Sequence, residues 1–148
     1  MRPESFRVLI ADDMPAVRAI VRDMLEAMGF RQFHESEDGA SAWRTLYDAC
    51  QKEHSRFHLV ISDWLMPGMD GLALVQKVRG LPETRAIPFL MVTSQSERHY
   101  WQQAEAAGVS GFIVKPFDPE QLRDQLLAAL SPLASGSLAS PRAGARAF

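Results

Sequence analysis

The sequence predicts an α/β fold, a doubly wound sheet of five parallel strands with helices on both faces. Three observations lead there. Short β-branched or aliphatic runs alternate five times with longer segments of helical period, as expected of consecutive βαβ units. The third run, FHLVIS at residues 57–62, is nearly all apolar, as strands covered on both faces tend to be. Four of the runs end on polar or charged residues, at the carboxyl ends where open α/β sheets bind their ligands.

Each element has a local reason. Residues 6–11 form the first strand. The helix after it gathers Val17, Ile20, Val21, Met24, Leu25 and Met28 on one face, with Pro15 suited to its first turn and Gly29 to its end. A weak strand at residues 33–36 leads to a second helix with the stripe Trp43, Leu46, Tyr47 and Cys50, and the polar residues 51–56 connect onward. The third strand delivers Asp63. Its helix runs through Leu72, Val75 and Val78 until Gly80 and Pro82 close it. Residues 87–92 make a fourth strand that ends at Thr93, and the helix over residues 97–107 stops at Gly108. Residues 110–114 make the fifth, ending at Lys115, before a last helix with Leu122, Leu126, Leu127 and Leu130. The segment SPLASGSLASPRAGARAF has the small-residue content of a flexible tail, so the expected division is a domain at 1–130 and a tail or linker at 131–148.

Composition narrows the function classes. A chain of 148 residues with 47% hydrophobic content supports one domain with a single core. Its 16 basic and 18 acidic side chains leave a net charge of -2, no electrostatic footprint for nucleic acid or an anionic membrane, and neither is an expected partner. Cys50 is the lone cysteine, which excludes an internal disulfide and fits a reducing compartment. The apolar stretch at residues 8–11 is too short for a signal-peptide core or a membrane span, and the expected location is the cytoplasm.

The strand ends carry Asp12 and Asp13, Asp63, Thr93 and Lys115. Singly, each reads as a helix cap, a turn former or a solvated loop charge. Together they share one crevice. Three carboxylates there repel one another, which raises their pKa values or destabilises the fold unless a cation compensates. Lys115 leaves a formal surplus of two negative charges, which one divalent ion would neutralise. Oxygen donors favour Mg2+, with Mn2+ as a substitute. His34, His54, His58 and His99 are scattered through different elements and suggest no zinc site.

The blocks IADDMPAVR, VISDWLMPGMDGLAL, PFLMVTSQ and GFIVKPF, in that order, resemble the signature blocks of bacterial response-regulator receiver domains of the CheY-like kind. The likeness spans about residues 5 to 130. It implies a flavodoxin-like sheet in the order 2-1-3-4-5. It further implies that Asp63 is the phosphoacceptor, taking a phosphoryl group from a sensor histidine kinase, a phosphotransfer protein or a small phosphodonor. Asp13, Asp63 and the backbone carbonyl of Leu65 match direct Mg2+ ligands, and Asp12 matches the partner of a metal-bound water. Thr93 and Lys115 match the hydroxyl and ammonium that contact phosphoryl oxygens. Thr93 and Phe112 match the switch pair, and Lys115-Pro116 matches a cis peptide. Downstream, a target protein would read the surface of the fourth helix, fifth strand and fifth helix.

His99, Tyr100 and Trp101 are consecutive on the fourth helix and cannot all face the core, so Tyr100 or Trp101 is a candidate partner contact. Such a chain would be a monomer or a transient dimer, and no enzyme beyond self-catalysed phosphotransfer and autodephosphorylation. Leu65 and Gln95 depart from the CheY pattern, which has a polar residue and an acid there, and this puts a CheY-like phosphorylation lifetime in doubt.

Other readings compete. The chain is expected to be a single-domain regulator, with a receiver excised from a longer regulator as the alternative. A Mg2+-dependent phosphatase with an aspartate nucleophile would carry a second aspartate two residues after the nucleophile, and rapid turnover of a phosphate ester would favour it. A flavodoxin-like redox carrier would cradle a phosphate in its first loop, where Asp12 and Asp13 would repel one. A receiver-shaped scaffold that is never phosphorylated would not need all five site residues.

Overall fold

The computed structural model describes residues 2–131, so the expected tail lies outside the described residues apart from Ser131. Five strands and five helices alternate: β1 (Arg7–Ala11), α1 (Pro15–Ala27), β2 (Gln32–Ser36), α2 (Gly39–Cys50), β3 (Leu59–Ser62), α3 (Gly71–Gly80), β4 (Phe89–Thr93), α4 (Arg98–Ala107), β5 (Gly111–Val114) and α5 (Pro119–Ala129). All strand pairs are parallel, in the order β2-β1-β3-β4-β5. The expected doubly wound sheet is therefore the observed one. The polar connection after α2 contains a 3-10 turn at Glu53–Ser55, and a second such turn at Pro3–Ser5 precedes β1.

Side-chain alternation along the strands builds two cores. Leu9, Ala11, Val60, Phe89, Met91 and Phe112 face α2, α3 and α4, whereas Val8, Ile10, Leu59, Ile61, Leu90, Val92 and Ile113 face α1 and α5. The central strands β3 and β4 are buried at every residue, while β2 lies at the edge with an alternating pattern. Three stripe residues depart from the expected faces. Ile20, Tyr47 and Leu127 are exposed, because each sits at the margin of a stripe broader than the contact its helix makes.

The helix ends follow their sequence signals. Pro15 opens α1, and Gly29 follows its last turn with a positive φ of 106°. Asp38, Asp70 and Asp118 cap α2, α3 and α5 by accepting backbone N–H bonds, and Gln121 completes a capping box with Asp118. Gly108 ends α4 in the left-handed region. Among the described residues no helix is long and apolar enough to cross a membrane.

At the amino end of the sheet, the Nδ1 of His58 accepts the Arg7 backbone N–H at 2.9 Å, and the His58 backbone N–H returns a bond to the Arg7 carbonyl. The imidazole packs against Phe6 and Arg7 lies over the Phe57 ring, so this corner is partly dry. Burial, assisted by the Arg7 charge, pushes the His58 pKa below its ordinary 6.5. The folded state thus resists a proton that the unfolded chain accepts. His58 contributes stability that is complete above pH 6.5 and is lost as pH falls through the depressed value. Urea unfolding across that window is expected to show the loss, and His58→Asn, whose amide oxygen can accept the same N–H, is expected to flatten it. An equal slope in both proteins would refute the assignment.

Candidate functional site

The carboxyl ends of β1, β3 and β5 meet at one ammonium. The Lys115 Nζ donates to the Asp12 Oδ2 at 2.9 Å and to the Asp63 Oδ2 at 3.2 Å. Each strand delivers its residue by the parallel ladder: the Asp63 N–H bonds the Ala11 carbonyl, and the Lys115 N–H bonds the Thr93 carbonyl. The second oxygens are held as well. The Asp63 Oδ1 accepts the Trp64 N–H at 2.7 Å, and the Asp12 Oδ1 accepts the Met14 N–H at 2.9 Å.

One cation between two buried carboxylates leaves a surplus of negative charge. Burial raises the Asp63 carboxyl above the usual range; Lys115 pulls it back, and the Asp12 charge pushes it up again. Burial alone would depress Lys115, but its bonds and charge attraction to Asp12 and Asp63 outweigh that and raise it. The two shifts agree on the cause, since one ammonium serves two carboxylates and neither of them has it alone. Asp13 is exposed beside them, and ligand oxygens of Asp12, Asp13 and Asp63 lie within 4.8 Å of one another. A cluster of carboxylate oxygens with excess negative charge fits a hard divalent cation.

The sequence-predicted residues fall into three groups. Asp12, Asp13, Asp63 and Lys115 come together directly. Thr93 is buried at the end of β4, next to Lys115 through the backbone, and its hydroxyl oxygen accepts the Gln95 N–H at 3.2 Å. Leu65 is 53% exposed two residues beyond Asp63, and the peptide between Lys115 and Pro116 is cis. Phe112 is buried, with its ring 6.4 Å from that of Trp64. Tyr100 and Trp101 are only half-exposed and pack against the core, and the Tyr100 ring meets Trp64 edge-on at 5.1 Å. His99 is the exposed member of that trio.

Comparison with known proteins places this arrangement. Residues 8–127 match the response regulator receiver domain family. The chain belongs to that family. This receiver domain is 36% identical over 123 residues to the chemotaxis protein CheY-3 of Vibrio cholerae serotype O1, covering 83% of the chain and 90% of that relative. It is 34% identical over 120 residues to the chemotaxis protein CheY of Pseudomonas aeruginosa, covering 81% and 92%. A solved structure of the Vibrio cholerae chemotaxis protein CheY4 superposes with a TM-score of 0.74 at 33% identity, covering 84% of this receiver and 98% of that chain.

Two further residues support the site, Ser62, which carried no sequence signal, and Gly71, for which a turn-forming role alone would account in the sequence. The Ser62 hydroxyl donates to the Asp63 carbonyl at 2.8 Å, and Gly71 sits against that carbonyl from the first position of α3. It is the close approach of Gly71 to the end of β3 that excludes a side chain. A Cβ there would overlap the Asp63 carbonyl oxygen and stand 2.9 Å from the Met91 sulfur. Gly71→Ala is expected to cost about 1–3 kcal/mol in urea or thermal unfolding. Gly80→Ala, at a position with no neighbouring atom within 4 Å, is expected to leave stability within about 0.5 kcal/mol or raise it slightly.

Proposed function

We propose that this receiver domain is the phosphoacceptor of a two-component relay, with Asp63 as the acceptor. The observation that carries the reading is the Lys115 ammonium bridging Asp12 and Asp63 with Asp13 alongside. Asp12, Asp13 and Asp63, with the Leu65 carbonyl, would hold Mg2+, or Mn2+ in its place, which supplies neutralising charge for phosphoryl transfer. An Asp63 carboxylate oxygen attacks the phosphorus of a phosphohistidine or an acyl phosphate. A P–O bond to Asp63 forms, the bond from phosphorus to the donor breaks, and its electron pair leaves with the donor. Lys115 and the Thr93 hydroxyl contact the phosphoryl oxygens, and the ladder bond between their backbones keeps the two in register.

Upstream partners are a sensor histidine kinase or a phosphotransfer protein. The downstream partner is a protein that reads α4, β5 and α5. The working state is a cytoplasmic monomer or transient dimer. The aspartyl phosphate adds roughly 1.5 to 2 negative charges where Lys115 already serves two carboxylates, so the Thr93 segment and Phe112 move to a second arrangement. With Tyr100 resting on Trp64, this aromatic contact belongs to the moving surface, and Trp101 lies one residue further on.

Incubation with Mg2+ and acetyl phosphate is expected to add the mass of one phosphoryl group to the chain. Asp63→Asn or a chelator is expected to abolish the gain, and a gain that survives in Asp63→Asn would sink the reading. The switch has its own test in a Trp43→Phe, Trp101→Phe background, which leaves Trp64 as the sole tryptophan of three. Its emission is expected to change on phosphorylation of Asp63; emission that ignores phosphorylation would disprove movement at this contact.

A further inference from the structure

We infer that Arg18 is a positioning residue for the acidic loop, holding Asp12 and Asp13 for cation binding through a guanidinium anchored on β2. The inference rests on the Mg2+ site proposed above. Asp12 is the first residue beyond β1, where the parallel ladder stops. Its N–H still finds the Ser36 carbonyl of β2 at 3.0 Å, but its carbonyl lies past the last ladder rung. The Arg18 Nη1 supplies the missing donor to that carbonyl. The same guanidinium donates through its Nε to the Glu35 Oε1 at 2.9 Å, and Glu35 holds Arg22 through its other oxygen at 3.0 Å.

The peptide groups on both sides of Asp12 are therefore tied to β2, one directly and one through Arg18 and Glu35. Arg18 is mostly buried, at 16% side-chain exposure, and Glu35 is 30% exposed, so the pair is not a free surface contact. Arg18 holds the Glu35 carboxyl below the usual range despite some burial, with Arg22 adding to the effect. The planar fork makes the two bonds through separate nitrogens, Nε to the carboxylate and Nη1 to the carbonyl, a fixed spread that a single ammonium nitrogen does not reproduce. Arg22 and Arg18 are one turn apart on α1, and Arg22 also lies over the Phe33 ring, so β2 fixes the whole face of the helix that follows the acidic loop.

Two effects of Arg18 oppose each other. Its positive charge repels a divalent cation, whereas its bond to the Asp12 carbonyl orders the loop that binds one. Glu35 pairs with Arg18 at 2.9 Å and with Arg22 at 3.0 Å, and Glu26 lies 3.7 Å from Arg22, so the two guanidiniums are balanced by two carboxylates and ordering prevails. Salt separates the two, since the screening length shrinks to about 3 Å at roughly 1 M ionic strength.

The test is calorimetric titration of the full chain with Mg2+ at low and high salt, alongside urea unfolding without the metal. Arg18→Met and Arg18→Lys are both expected to bind Mg2+ roughly tenfold more weakly at high salt, the range seen when outer partners of metal ligands are removed. Glu35→Gln leaves the Asp12 bond in place, and it is expected to weaken binding at low salt and recover at high salt. It also keeps the inference testable should Arg18→Met fail to fold. Less than a twofold change in folded Arg18→Met at high salt, or full rescue by lysine, overturns the positioning role. Salt-independent weakening in Glu35→Gln overturns the neutralising role on which the argument depends. A wild-type chain that binds no Mg2+ overturns the site itself, and this inference with it.

Discussion

The structure depends on one electrostatic constraint: the sheet concentrates more negative than positive charge at its carboxyl end, and a single ammonium balances two carboxylates there. Lys115 reaches Asp12 and Asp63 from β5, across β4 and β3, so the balance exists only if the strands keep their order and register. Moving Lys115 by one residue would turn its side chain to the other face of the sheet. Breaking such a pair on one side leaves an uncompensated buried charge, which costs more than the intact pair contributes. The apolar sheet is therefore the scaffold that makes a costly cluster tolerable.

That scaffold is asymmetric in a useful way. The central strands β3 and β4 are buried throughout and lead to Asp63 and Thr93, so the proposed acceptor and the hydroxyl sit at the ends of the two fully buried strands. The edge strand β2 bears no proposed ligand, yet through Ser36 and Glu35 it holds the acidic loop. The loops at the opposite end are gathered by Arg79, whose guanidinium donates to the Gly108, Arg85 and Ile87 carbonyls and lies 3.3 Å from the Ser110 hydroxyl. Burial lowers its pKa, but carbonyl acceptors replace the water it loses. The acidic cluster proposed to bind a ligand lies at one end of the sheet, and the Arg79 network that gathers the loops lies at the other.

Much of this was legible in the residues. Alternation of runs and the strand-end positions of Asp12, Asp63, Thr93 and Lys115 pointed to the fold and the crevice, because both depend on local periodicity and chain direction. The strand order came from family resemblance; periodicity does not encode which strands pair. Arg18, Ser62 and the Trp64 N–H gave no signal, since each acquires its role from a neighbour placed by tertiary packing. Ile20, Tyr47 and Leu127 looked like core for a related reason: a helical stripe shows which face turns inward, not how wide the contact is. Three large residues in a row on α4 cannot all be buried, but the sequence does not say which of them turns outward; packing leaves His99 exposed and Tyr100 and Trp101 half-exposed, so both remain candidates for a partner contact.

The position of Tyr100 changes how the site and the α4 surface are connected. The Asp63 carboxylate is bonded to the Trp64 N–H, and the Trp64 ring touches both Tyr100 on α4 and Phe112 on β5. The Phe112 N–H in turn meets the Gln125 Oε1 of α5 at 3.4 Å, a buried amide that occupies the open edge of β5. Two elements of the proposed output surface, α4 and β5, thus meet the residue that follows the proposed acceptor, and α5 joins them through Phe112. Edge-on aromatic pairs have a preferred geometry and close-packed interiors have few alternative packings, so a shift of the Trp64 backbone cannot be absorbed locally without moving a neighbouring ring. These contacts restrict where coupling can run: through rings whose edges already touch, and toward α4 before α5.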